Sequence, residues 1–270
     1  ITTSNHQKEY LVECMFAQHK GYGTKLHYAM LDRINKAYSA QMRFVSDASH
    51  ELKTPLAGIR LLTDSILQTD HMDEETTKEF VTDIGREAER LSRITENLLR
   101  LTRLDSGVVQ QPYPVAVRPV LERVERMLTM VAQEKGVTVS GAADEDAVAL
   151  ATDDDVHQIL YNLMENAIKY SAAEDGFVRA EAHVDGDKVV LTVSDNGIGI
   201  PNEDLPHIFD RFYRVDKMRS REVGGTGLGL SIVKDTIENR GGTISAGHGA
   251  NGVGTVFTVY LPLAERGEEA

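Results

Sequence analysis

The sequence predicts two folds in series: a helical hairpin that pairs with a second copy as a four-helix bundle, then an α/β domain. Three observations predict this. Up to about Ser106, apolar residues recur at heptad spacing. Residues 106–114 then bring one glycine and two prolines, which read as a boundary. Beyond them helical and alternating periods are mixed, without the strand–helix alternation of a doubly wound sheet. The expected division is 1–25 unassigned, 26–107 hairpin and 108–270 second domain.

In the first helix Leu31, Tyr38, Val45, Leu52, Ile59 and Ile66 recur every seven residues. Ile34, Ala48, Pro55 and Leu62 take the companion positions. A second run has Ile84, Leu91 and Leu98, with Phe80, Ile94 and Leu101 in the other seam position and Glu87 interrupting it. Such heptads pack helices at shallow angles. The polar run 69–73 suits the turn, and Asp73 ahead of Glu74 and Glu75 suits a helix start. A lone hairpin buries too little of this apolar surface to be stable; it could pack on the rest of its own chain, but so long and regular a seam favours a homodimer. Residues 1–25 match no pattern, and Gly21 and Gly23 are expected to break any helix there. The heptad running up to Leu31 makes that helix the expected route for an incoming signal.

In the second domain the pattern predicts helices over 118–135, 153–170 and 228–239. It predicts strands over 137–140, 177–184 and 188–194, the last two around the turn Asp185–Gly186, and a closing hairpin of 241–248 with 253–261.

Composition excludes some functions. The net charge of −13 argues against nucleic acid as a partner, because a phosphate backbone needs a basic face. The single cysteine, Cys14, cannot form an intrachain disulfide and fits a reducing compartment. No apolar run approaches the ~20 residues of a membrane span. The chain starts at Ile1 rather than Met and is expected to be a piece of a longer protein.

Four strings stand out. His50 lies between seam positions Val45 and Leu52, so the register puts it on the outside of the bundle. An isolated helical histidine is more often a satisfied core or cap residue, but here the register removes the core option. Pro55 follows in mid-helix, where it cannot donate to the carbonyl of Glu51 and should bend the helix. On the helix over 153–170, Asn162, Asn166 and Lys169 form a polar stripe beside the apolar one. A solvated face usually carries Lys, Glu and Arg; two asparagines in line with a lysine suit a hard cation beside phosphate. Asp195-Asn196-Gly197-Ile198-Gly199 follows a strand, where Asn-Gly alone would be an ordinary turn. Gly224-Gly225-Thr226-Gly227-Leu228-Gly229 opens a helix and offers free N–H groups to phosphate. It is not a Walker loop, because no Gly-Lys-Ser/Thr follows. Between the last two strings, Arg211, Arg214, Lys217, Arg219 and Arg221 concentrate positive charge, as a mobile lid over polyphosphate would.

Together these strings resemble the sensor histidine kinases of two-component systems. Residues 49–56 match the H-box S-H-E-L-[KR]-T-P-L in full. The others resemble the N-box, the G1 box D-x-G-x-G, the F-box around Phe209 and the G2 box, in the family's order over most of 40–262. The resemblance implies a GHKL (Bergerat) α/β sandwich after the hairpin. It implies that His50 accepts the γ-phosphoryl of ATP, that Glu51 is the general base and that Thr54 serves a phosphatase reaction. It places ATP on Asn162, Asn166, Lys169, Tyr170, Asp195, Gly197, Gly199, Phe209, Arg214, Gly225, Thr226, Gly227, Leu228 and Gly229, with Asp195 accepting from the adenine amino group. Asn166 would hold Mg²⁺. The implied partners are a second copy and the receiver domain of a response regulator. The implied setting is the cytoplasmic portion of a bacterial sensor anchored in the plasma membrane. Two alternatives compete. A GHKL ATPase of the gyrase, chaperone or mismatch-repair class would use the helices for assembly and need no exposed H-E-x-x-T-P. A signalling adaptor with a degenerate site would be expected to lose Asn166, Asp195 or the glycines.

Overall fold

The structure, a computed structural model, describes residues 23–69, 72–106, 110–171, 175–215, 225–249 and 252–264. It falls into two compact units, one up to Thr54 and one from Pro55 onward.

Helix α1, Gly23–Gln68, is 46 residues long and carries Pro55 inside it. The expected glycine break is corrected at Gly23, which is the first helical residue; Gly21 lies outside the described residues. A glycine costs about 1 kcal/mol in a helix interior and far less at an end. In the first unit the seam residues Leu31, Ile34, Tyr38 and Val45 stand exposed, at 42 to 62%. Four apolar side chains of one register facing water are a face that no other described residue covers. The next seam position, Ala48, is buried at 9% exposure.

The second unit opens with the rest of α1 and with α2, Glu74–Asp105. Asp73 caps α2 as expected: its carboxylate accepts from Thr76 N at 2.8 Å. Ile94 and Leu101 are fully buried, and Leu91 and Leu98 half-buried. Glu87, the break in the seam, is met by Gly58. A Cβ on that glycine would lie 3.8 Å from Glu87 Cγ, and Arg90 comes within 3.9 Å of the carboxylate. The glycine leaves room for the acid's stem.

Strands β1, Tyr113–Ala116, and β3, Val148–Ala151, pair antiparallel as a two-stranded ribbon. This corrects the reading of 106–114 as boundary throughout. Pro114 sits opposite Leu150, and proline is tolerated in so short an edge pairing. Strands β2 (Val137–Ala143), β4 (Gly176–Asp185), β5 (Lys188–Asp195), β6 (Thr243–His248) and β7 (Thr255–Pro262) form one sheet in the order β2-β4-β5-β7-β6. Only β2 and β4 run parallel. Along β4, Val178, Ala180 and Ala182 are buried while Phe177, Arg179, Glu181 and His183 face out, so one face of the sheet is covered. The covering layer is α3 (Val117–Glu134), α4 (Asp153–Lys169) and α5 (Gly229–Asn239), whose apolar stripes share one core with the strands.

The start of α4 is held tightly. Thr152 and Asp155 form a reciprocal capping box. Arg240, at the end of α5, brings Nε to 2.7 Å from Asp155 Oδ2, with the two side chains 6% and 11% exposed. Its Nη1 also donates to Gln110 O. One buried guanidinium therefore ties two helix ends to the segment entering the domain.

Candidate functional site

A cavity of about 970 Å³ lies among α4, the loop after β5, the glycine loop before α5 and one face of α2. The α4 wall is the predicted polar stripe, because α4 turns its apolar side to the core and has one other face to offer. Asn162 donates from Nδ2 to Gln158 O at 2.9 Å, which fixes its carboxamide. Its Oδ1 faces Gly229 so closely that a Cβ there would come within 2.8 Å. The Asn166 side chain lines the cavity and has no hydrogen-bond partner among the described residues. Lys169 lines it too, paired with Glu165 at 3.1 Å one helical turn back.

Asp195 ends β5 inside the cavity, 6% exposed. Its Oδ1 accepts from Gly197 N at 2.8 Å and Thr255 N at 3.2 Å. Among the described residues no donor reaches Oδ2, which leaves that oxygen to a ligand. Burial pushes the carboxyl above the ordinary aspartate range, and the two N–H bonds only partly offset this. Gly197 is required by contact: a Cβ would sit 2.0 Å from Tyr170 O, where Ile198 N donates at 3.1 Å. Gly199 has φ +71°. The sequence reading missed the support from behind. The turn before β7 lies against Asp195, so close that a Cβ on Gly254 would lie 1.9 Å from Asp195 O. The signal was present as Gly252-Val253-Gly254-Thr255 between two strands.

Gly225, Thr226, Gly227 and Gly229 line the opposite end. Phe212 takes φ +63°, and its N–H donates to Gly227 O at 2.8 Å. Gly227 itself has φ +72°, and a Cβ there would press on the Phe212 backbone at 2.9 Å. Tyr213 donates to Asp204, and Arg214 lines the cavity.

Some predicted residues lie behind the site rather than in it. Gly197, Phe209 and Leu228 are not among the lining residues. Phe209 packs edge-on against Phe257, and Leu228 is fully buried. Arg211 is also corrected: it is an anchor, not a lid charge. It donates to both oxygens of Asp105, at 2.9 and 2.7 Å, and to Asp235 at 2.9 Å. These bonds, Asp105 first, hold its pKa above the ordinary arginine value. Lys217, Arg219, Arg221 and Gly224 lie outside the described residues. Spacing did not anticipate that α2 lines the cavity, with Asn97 3.5 Å from Thr226 Oγ1. In the first unit His50 and Thr54 are exposed and Glu51 half-buried. The Thr54 hydroxyl donates to His50 O at 3.2 Å.

A mixed sheet covered on one face by helices, with a buried aspartate and glycine loops around a cavity, defines a GHKL-type ATP-binding domain behind a helical hairpin. The comparisons agree. Residues 151–265 match the family described as histidine kinase-, DNA gyrase B-, and HSP90-like ATPase. Residues 40–107 match the His Kinase A (phospho-acceptor) domain. The sensor histidine kinase WalK of Bacillus subtilis is 35% identical over 84% of this chain and 37% of its own length. Among solved structures, full-length ShkA in complex with AMPPNP is 28% identical with TM-score 0.59, covering 82% of this chain and 46% of ShkA. The histidine kinase ThkA in complex with the response regulator protein TrrA shares the fold, with TM-score 0.68 at 22% identity over 89% of this chain and 67% of ThkA. The chain belongs to the sensor histidine kinases of two-component systems. It spans 37% of the length of the WalK relative it matches. The match of 40–107 to a phospho-acceptor domain does not favour the assembly-only ATPase. No helix of the described residues is long and apolar enough to cross a membrane.

Proposed function

We propose that this chain binds ATP in the cavity, phosphorylates His50 and passes the phosphoryl group to an aspartate of a response regulator. The cavity carries the reading: a fixed buried carboxylate with one open oxygen stands at one end, and the glycine loop with the unbonded Asn166 carboxamide stands at the other. The similar ShkA structure holds an ATP analogue, and ThkA was solved with a response regulator. In the transfer one imidazole nitrogen of His50 attacks the γ-phosphorus and the bond to the ADP oxygen breaks. Glu51, by the resemblance, takes the proton from the other nitrogen.

Mg²⁺ fits this donor set. Among the described residues no group of three His, Cys, Asp or Glu gathers as a metal site. An ion held by one protein oxygen, substrate phosphates and water needs none, and the unbonded carboxamide of Asn166 would hold it. The ion would neutralise phosphate charge. The exposed seam of α1 supports a homodimer, and the parent protein is read as a membrane-anchored bacterial sensor with this portion in the cytoplasm. The H-E-x-x-T string adds dephosphorylation of the regulator through Thr54.

Incubation with γ-labelled ATP should give acid-labile, base-stable label on the wild-type chain. His50→Gln should bind ATP normally and take up none. Label persisting at wild-type level in that variant would refute the assignment.

A further inference from the structure

The nucleotide cavity has a wall that none of the four motifs supplies. Arg93, Asn97, Arg100 and Arg103 line it from α2, spaced 4, 7 and 10 residues from the first and therefore on one helix face. Asn97 Nδ2 lies 3.5 Å from Thr226 Oγ1, so this face abuts the glycine loop. That loop and Asn166 mark the phosphate end of the cavity; Asp195 marks the adenine end.

We propose that Arg93, Arg100 and Arg103 bind the polyphosphate of the nucleotide, making α2 a part of the ATP site. The inference rests on the nucleotide reading of the cavity. The guanidinium groups of Arg93 and Arg103 make no ion pair or hydrogen bond among the described residues. Arg100 pairs with Asp154 at 3.0 Å, but Asp154 is 71% exposed and the pair is exchangeable. Glu96 is the one acidic residue of α2 among the lining residues, and Glu165 across the cavity is already paired with Lys169. In a chain of net charge −13, three arginines gathered at a cavity wall have a function beyond solubility. The charge of Arg93 is felt across the cavity at Tyr161, where it opposes the upward push of burial on that hydroxyl. Guanidinium groups suit phosphate oxygens, which accept two parallel N–H bonds. A nucleotide held from both sides ties α2 to the ATP-binding domain. By reciprocity, whatever moves α2 changes ATP affinity.

The test measures binding of Mg·ATP and of adenosine to the full chain. The variants are Arg93→Ala/Arg103→Ala, which breaks no ion pair among the described residues, and the triple variant with Arg100→Ala. ATP should bind at least about fivefold more weakly to the double variant and more weakly still to the triple. Adenosine, which has no phosphate, should bind all three proteins equally. Unchanged ATP affinity in both variants, with wild type binding ATP, overturns the proposal and leaves the nucleotide reading standing. An equal loss for ATP and adenosine overturns it too, because the arginines would then act on the shape of the cavity. Wild type binding neither ligand would overturn the nucleotide reading itself.

Discussion

The first stretch of α1 and the ATP-binding domain are built on opposite plans. The domain buries a continuous core from β1 to β7, with many side chains at zero exposure. The helix up to Thr54 leaves its best apolar residues in water and buries Ala48. The domain's core is closed among the described residues. The helix has a finished pattern and an unfinished surface. In the domain the apolar pattern says what packs inside; in the helix it says what the chain must still meet. The same contrast separates the functional residues. Asp195 is immobilised by two N–H bonds and burial, which suits the proposed recognition of a flat base. His50 stands exposed, which suits the proposed acceptance and onward transfer of a phosphoryl group.

Charge placed in the unfinished face should have the largest effect. Tyr38→Glu with Val45→Glu sets like charges in the seam of the proposed dimer. Light scattering should show a dimeric wild type and a monomeric variant, while ATP affinity holds. A variant that stays dimeric would mean that the seam is not the interface.

The complete region should fail differently. Arg240→Ala leaves the buried Asp155 with its Thr152 hydrogen bonds but no counter-charge, with an expected loss of about 3–5 kcal/mol from the ATP-binding domain. Thermal or urea unfolding measures it, and helicity of the hairpin should outlast the transition. A loss under about 1 kcal/mol would place this pair with ordinary surface pairs.

This ion pair shows where sequence reading stops. The helices and the long strands were legible because their periods repeat over many residues, and the sheet strands matched within a few positions. Strands β1 and β3 were not, because four residues carry no period and Pro114 speaks against a strand. The cavity's α4 stripe, Asp195 and the glycines were legible as departures from what a bland face or turn would carry. Arg240 with Asp155 was not, because 85 residues separate them and each alone is an unremarked surface type. Leu228 and Phe209 were assigned to the site through the motifs that contain them, whereas Leu228 is fully buried and Phe209 packs on Phe257. The α2 wall was hidden because the heptad pattern speaks only for the apolar seam of that helix.

A smaller effect concerns pH. Burial holds the Asp195 carboxyl above its unfolded value of 3.8, so the native state keeps a proton where the unfolded chain has released it. The stability this group contributes is therefore present below 3.8 and lost as pH rises through the raised native value. Binding runs the other way, because only the ionised form is a full acceptor for an adenine amino group. ATP affinity should fall as pH is lowered, and should begin to fall at a higher pH than an ordinary aspartate would give. Asp195→Asn should bind more weakly at neutral pH and show a flatter profile. Parallel profiles for the two proteins would mean that this carboxylate does not carry the pH dependence.

The smallest effect on the forward reaction is expected at Thr54, one turn after His50 on the same side of the exposed helix. Its hydroxyl proton goes to His50 O through a 3.2 Å bond, and the oxygen keeps lone pairs to accept with. A bond this long and this exposed can be exchanged for one to water. Thr54 can then orient a water molecule towards a phosphoryl group on a regulator's aspartate docked at this face. The task is positioning rather than proton transfer, so a modest hydroxyl suffices. Replacement by alanine removes the hydroxyl and leaves a good helix former, so α1 and the imidazole stay in place. Thr54→Ala should therefore leave His50 labelling within about twofold of wild type and lengthen the life of the phosphorylated regulator in the presence of ADP. The measurement follows regulator phosphate with wild-type protein, with the variant and with neither. Equal lifetimes with both proteins, each shorter than for the regulator alone, would assign the reaction to another group. Equal lifetimes with no shortening would leave a kinase without the reverse activity, and Thr54 would then be a residue tolerated before Pro55.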